Sequence, residues 1–193
     1  MEAFLRALLP RLLPGRVTFD IYPHQGKEDL LGRLPARLKA YAGWLPEAWC
    51  IVVVVDRDDD DCKPLKNRIE KAAADVGLGT RSTAGPRNWR LVNRIAVEEL
   101  EAWYFGDWEA VRKAYPRVSR TIPNRESYRN PDAIRGGTWE AFANVLRRAG
   151  YFTGGLRKLE VARALGNSLD PFHNRSRSFQ VFREALLEVV ESA

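Results

Sequence analysis

Seven consecutive apolar residues, Trp49-Cys50-Ile51-Val52-Val53-Val54-Val55, run straight into Asp56-Arg57-Asp58-Asp59-Asp60-Asp61. β-branched side chains suit a pleated surface, and an element apolar at every position must be covered on both faces. That is the signature of a central parallel strand, which needs helices on both sides of its sheet. The run therefore predicts an α/β fold, with five aspartates in six positions placed where the strand stops.

The rest of the chain fits that frame. Met1–Leu13 has apolar residues at helical spacing around Arg6 and Arg11. Val17–Tyr22 (VTFDIY), between Pro14-Gly15 and Pro23, reads as a second strand. Leu30, Leu31, Leu34, Leu38 and Tyr41 mark a helix from Lys27, with Pro35 as an expected kink and Gly43 as a stop. Pro64–Val76 predicts a helix, Arg81–Arg90 a polar loop, Leu91–Val97 a third strand and Glu98–Phe105 a helix. Residues 116–137, with three prolines and two glycines, form an irregular connection before three helical patterns at 138–149, 155–165 and 176–191. The expected organisation is an α/β core over 1–115 and a basic, mainly helical section over 116–193 packed on it as one unit.

Charge divides along the same line. Residues 1–111 hold 16 Lys+Arg against 17 Asp+Glu, whereas 112–183 hold 15 against 5, mostly arginine. Arginine's planar fork matches phosphate, so the basic section is either a nucleic-acid contact or a solvated helix surface. Only two cysteines, Cys50 and Cys62, and no apolar run of the ~18–20 residues of a membrane span point to a reduced cytoplasm and no membrane.

Functional groups in parallel α/β sheets collect beyond the carboxyl ends of the strands. The three strand ends deliver His24, Gln25 and Lys27, then Asp56 to Asp61, then Glu98, Glu99 and, one helical turn on, Glu101. In an extended chain Asp56 and Asp58 point the same way, and paired carboxylates repel unless a cation shares them. Hard oxygen donors suit Mg²⁺ or Mn²⁺, with Asp60 a further ligand; the other reading is a solvated acidic loop leading a helix. A calcium-binding EF-hand fails, because Asp61 and Asn67 stand where Gly and Glu are required. A phosphatase with Asp56 as nucleophile remains open. His24 is a base, a phosphate contact or a plain loop residue. Glu98 and Glu99 cannot both face the site if they open a helix, and Glu101 reads as helix surface. Gly154-Gly155 before Arg157-Lys158 resembles a phosphate-holding helix start.

The strand with Asp56-x-Asp58 resembles the metal-binding half of a Toprim domain, the module of primases, type II topoisomerases and overcoming-lysogenization-defect nucleases. His24-Gln25-Gly26-Lys27, Val97-Glu98-Glu99-Leu100-Glu101-Ala102-Trp103 and Asn174-Arg175-Ser176-Arg177-Ser178-Phe179 further resemble an uncharacterised bacterial Toprim-like family found near ATPase genes. The resemblance implies a Toprim-like Rossmannoid core and a nuclease, the effector of an ATPase-linked anti-phage pair acting on DNA or RNA. Asp56, Asp58, Asp60 and Glu99 would hold Mg²⁺ or Mn²⁺. His24, Lys27 and Glu98 would serve catalysis, and Arg57, Arg157, Lys158, Arg175 and Arg177 would bind phosphate. A Toprim domain opens with a strand ending in Glu-Gly. Here Met1-Glu2-Ala3-Phe4-Leu5 looks like the helix that follows it. Either the natural polypeptide starts upstream or it lacks that acid/base. An unpaired sheet edge would result, inviting a homodimer. A non-catalytic subunit binding an ATPase or nucleic acid is the alternative.

Overall fold

The computed structural model describes every residue except Pro14, Arg16, Asp59, Arg87 and Ala193. Its sheet has two strands, β1 (Ile51–Asp56) and β2 (Leu91–Ala96), parallel and in register from Ile51 beside Leu91 to Asp56 beside Ala96. Parallel neighbours need a crossover, supplied here by α3 (Cys62–Ala74). Asp61 caps α3, its carboxylate accepting from the Lys63 N–H at 2.9 Å, and Leu65, Ile69, Ala72 and Ala73 form its buried stripe. The fold class is α/β, as the apolar run requires.

The strand's period of two assigns its residues to two cores. Val53 and Val55 pack with Leu65 and Ile69 of α3 and with Leu31, Leu34 and Leu38 of α2 (Lys27–Ala42). Val52 and Val54 face the larger cluster, built by α1 (Glu2–Leu12), α5 (Glu101–Gly106), α6 (Trp108–Ala114), α7 (Thr138–Arg148), α8 (Lys158–Ser168) and α9 (Arg177–Ser192). Phe4, Trp103, Tyr104, Phe105, Phe142, Phe179 and Phe182 are its largest fully buried rings. Trp103 stacks on Phe182 with centroids 5.0 Å apart and meets Phe179 edge-on, tying α5 to α9.

Several expectations need correction. Val17–Tyr22 belongs to no strand. It has the composition for one, but a strand exists only by pairing, and no neighbour lies beside it among the described residues. For the same reason β1 is not central: it is covered on both faces but paired on one edge, and Val52 and Val54 are only half-buried. Pro35 sits within α2 without ending it. The polar loop contains the short α4 (Arg81–Ala84), and 116–137 folds partly into three 3₁₀ turns. α5 begins at Glu101 rather than Glu98, because Glu98 adopts φ +61°.

Candidate acidic site at the strand ends

Parallel register brings the carboxyl ends of β1 and β2 together. The ladder continues past them, with Arg57 N–H donating to Ala96 O at 2.9 Å and Asp58 N–H to Glu98 O at 2.8 Å. Asp58 and Glu98 both take left-handed conformations, φ +52° and +61°. Each costs about 1 kcal/mol or more for a non-glycine residue and persists where the surroundings hold it. The Asp58 turn breaks the extended geometry assumed for Asp56 and Asp58, and the two carboxylates enter different surroundings.

The outer group is built around Lys27, at the start of α2. Its ammonium lies 2.8 Å from Asp58 Oδ2 and 2.7 Å from Asp60 Oδ2, and donates to Arg57 O at 3.0 Å. Burial would lower the Lys27 pKa, but hydrogen bonds to both aspartates outweigh it and raise it. A lysine thus supplies the positive charge that close aspartates demand. His24 stands apart from them, its Nδ1 3.1 Å from Asp29 Oδ2, which also accepts from Gln25 N–H. Asp59 lies outside the described residues.

The inner group is Asp56, Glu99 and Glu101. Glu98 and Glu99 part company: Glu98 pairs with Arg57, while Glu99 Oε2 accepts from Thr138 Oγ1 at 3.1 Å and Trp139 N–H at 2.8 Å, capping α7. Asp56 Oδ1 is buried without a hydrogen-bond partner. Burial pushes Asp56 up to about 6, helped by Asp58 and Glu99 and opposed by the Met1 ammonium and the Leu100 N–H. Burial likewise pushes Glu101 up to about 7, with Glu99 and Asp56 adding to the shift and Lys158 opposing it. Lys158 Nζ lies 3.8 Å from the centroid of the Trp139 ring, a cation–π contact at the rim of this group. Glu101, which the sequence sets one helical turn beyond the third strand end but reads as surface, is half-buried at the site, and Thr138 and Trp139 join it unannounced. The closely spaced Glu98, Glu99 and Glu101 carried the only signal for the first, and Gly136-Gly137 before a helix for the other two.

Hard carboxylate oxygens, one of them unpartnered, suit Mg²⁺ or Mn²⁺ in chemistry. The side chains as they stand do not close on an ion: among the described residues no three His, Cys, Asp or Glu form a metal-holding group.

The predicted phosphate ligands disperse. Arg57 is committed to Glu98, Arg157 pairs with Glu160 at 3.3 Å, and Arg177 reaches Glu184 at 3.0 Å. Arg175 and Arg177 are exposed on a segment whose alternate residues, Asn174, Ser176 and Ser178, are buried. Those three serve the fold. Asp132 accepts from Ser176 Oγ at 2.7 Å and from Ser178 N–H and Oγ at 2.9 Å, Trp103 Nε1 donates to Ser178 Oγ, and Asn174 Nδ2 donates to Trp103 O. Arg120, Arg125, Arg129 and Arg135 are exposed along the irregular connection.

The acidic site opens into a cavity of about 1570 Å³ running along β1 from Trp44 and Trp49 to Asp56, Glu99 and Glu101. No helix among the described residues is long and apolar enough to cross a membrane. The family model for the domain of unknown function DUF4276 matches residues 1–187, so the chain belongs to that family. No curated protein and no solved structure matches it.

Proposed function

We propose that this member of the DUF4276 family is a Toprim-like, Mg²⁺- or Mn²⁺-dependent nuclease, with a role in an ATPase-linked anti-phage system following from that resemblance. The observation that carries the reading is Asp56: a strand-end carboxylate with a buried, unpartnered oxygen, its pKa pushed up by burial and further by the charges of Asp58 and Glu99. Such strained acid clusters are typical of sites awaiting a cation or a proton. Asp56, Glu99 and Glu101 would hold the ion, with Asp58 and Asp60 at its margin. The ion would stabilise negative charge developing on a scissile phosphate. Lys158 at the rim and the exposed arginines of 120–135 would hold the nucleic-acid backbone.

The test is Mn²⁺-dependent cleavage of DNA and RNA by the wild type and by Asp56→Asn. A loss of about 100-fold or more is expected, with an unchanged circular dichroism spectrum. Cleavage undiminished in the variant would sink the mechanism. Lys27, already bridging Asp58 and Asp60, favours a second reading: a non-catalytic subunit whose outer aspartates are neutralised internally and which binds an ATPase or nucleic acid. Tight binding of either partner without cleavage at any Mn²⁺ concentration would decide for it.

A further inference from the structure

Lys27 is held by Asp58 and Asp60, Arg57 by Glu98, and Arg157 by Glu160. Lys158, the exposed first residue of α8, differs: among the described residues it makes no ion pair and no hydrogen bond. Its ammonium instead rests 3.8 Å from the centroid of the Trp139 ring. An indole face attracts a cation through its quadrupole and takes up no conventional hydrogen bond, so the ammonium's N–H donors stay open. Lys158 also faces the site. It lines the cavity together with Asp56, Glu99 and Glu101, and its charge opposes the rise in the Glu101 pKa, so it stands within electrostatic reach of that carboxylate. Trp139 is outside the cavity lining. Its N–H is fixed to Glu99 Oε2 at 2.8 Å, and the Thr138 hydroxyl donates to the same oxygen at 3.1 Å. The acidic site thus anchors the ring's backbone, and the ring holds the lysine.

We propose that Trp139 is a positioning residue: it keeps the Lys158 ammonium off the carboxylates and presents it to a phosphate oxygen of the nucleic acid. A lysine on its flexible stem spreads over many rotamers unless something holds it, or pairs with nearby carboxylates as Lys27 does. The ring prevents both and leaves the donors free. Open N–H donors on a compact point charge suit an oxyanion. The neighbouring carboxylates repel an anion everywhere else in the group, so the phosphate settles where the ammonium stands. The identity of that ligand rests on the nuclease reading; the pairing of Lys158 with Trp139 does not.

The probe is thymidine 3′,5′-bisphosphate, titrated calorimetrically into the full chain in metal-free buffer and again with Mn²⁺. Lys158→Met is expected to weaken binding by about 10-fold or more, and Lys158→Arg to recover most of the loss. Trp139→Leu should weaken it several-fold, and Trp139→Phe, which keeps an aromatic face, by less. A purely structural role for Trp139 would also weaken binding, so the decisive measurement is the double variant. In a Lys158→Met background, Trp139→Leu should add nothing. Binding that Lys158→Met leaves unchanged, losses that add fully in the double variant, or no binding by the wild type in either buffer overturns the proposal. Mn²⁺-dependent cleavage tests the nuclease reading separately: no cleavage beside Lys158-dependent binding would sink the nuclease and leave the Lys158–Trp139 pair standing.

Discussion

Asp132 and Asp56 are both acids set among apolar elements, and they are treated in opposite ways. Asp132 receives three hydrogen bonds from Ser176 and Ser178, and so fastens the start of α9 to Trp103. Asp56 keeps a bare oxygen and faces two further carboxylates. A satisfied buried acid stabilises a fold, whereas an unsatisfied one in like-charged company costs stability and needs another reason to exist. That contrast separates the scaffold from the site more cleanly than burial does, since both residues are only partly exposed.

The contrast can be broken at several points. The largest effect is expected from Asp132→Ala, which strips acceptors from the Ser176 and Ser178 donors. It should cost about 3 kcal/mol in urea unfolding, and a loss below ~1 kcal/mol would remove Asp132 from the scaffold. Asp56→Asn should do the reverse. The Asp56 pKa rises from 3.8 to about 6 on folding, so the folded state holds more protons between those values. Its contribution is complete below about pH 4 and is lost as pH climbs through 6. The variant should therefore gain about 1–2 kcal/mol over wild type at pH 7.5 and little at pH 4. An equal effect at both pH values would mean that Asp56 is not strained. Lys27→Gln is a subtler probe. Asp58 and Asp60 are about half exposed (49% and 53%), so unfolding should change by less than ~1 kcal/mol. Calorimetric Mn²⁺ affinity should nevertheless rise several-fold once the ammonium no longer competes, and weaker binding would show that Lys27 supports the site instead. The smallest effect belongs to Arg157→Ala. Its ion pair with Glu160 is 76% and 54% exposed, and should contribute under ~0.5 kcal/mol, vanishing in 1 M salt.

Much of the scaffold was legible because it is local. The apolar run became β1, the stripe of Leu65 and Ile69 became α3, and Asp56 did mark a strand end. What failed depended on distant partners. Val17–Tyr22 has the pattern of a strand, but pairing is decided by what lies beside it. Glu101 looked like helix surface, because its burial comes from the packing of far-off segments around the strand ends. Glu99 was seen, but its commitment to Thr138 and Trp139 spans some forty residues and leaves no trace in spacing. The Asn174–Ser178 segment showed its arginines and concealed its purpose, since the buried alternate residues act through Asp132, far back in the chain.

Residues 17–24 have a further consequence as a barrier. Five β-branched residues with one bare edge are a template for stacking chain on chain, and residues 17–24 form the far wall of the cavity that runs along that edge. A proteolytic nick within that wall should therefore raise self-association at the open edge while the helices stay folded. Stored samples are best judged by the integrity of that short stretch, well before any change in helical content.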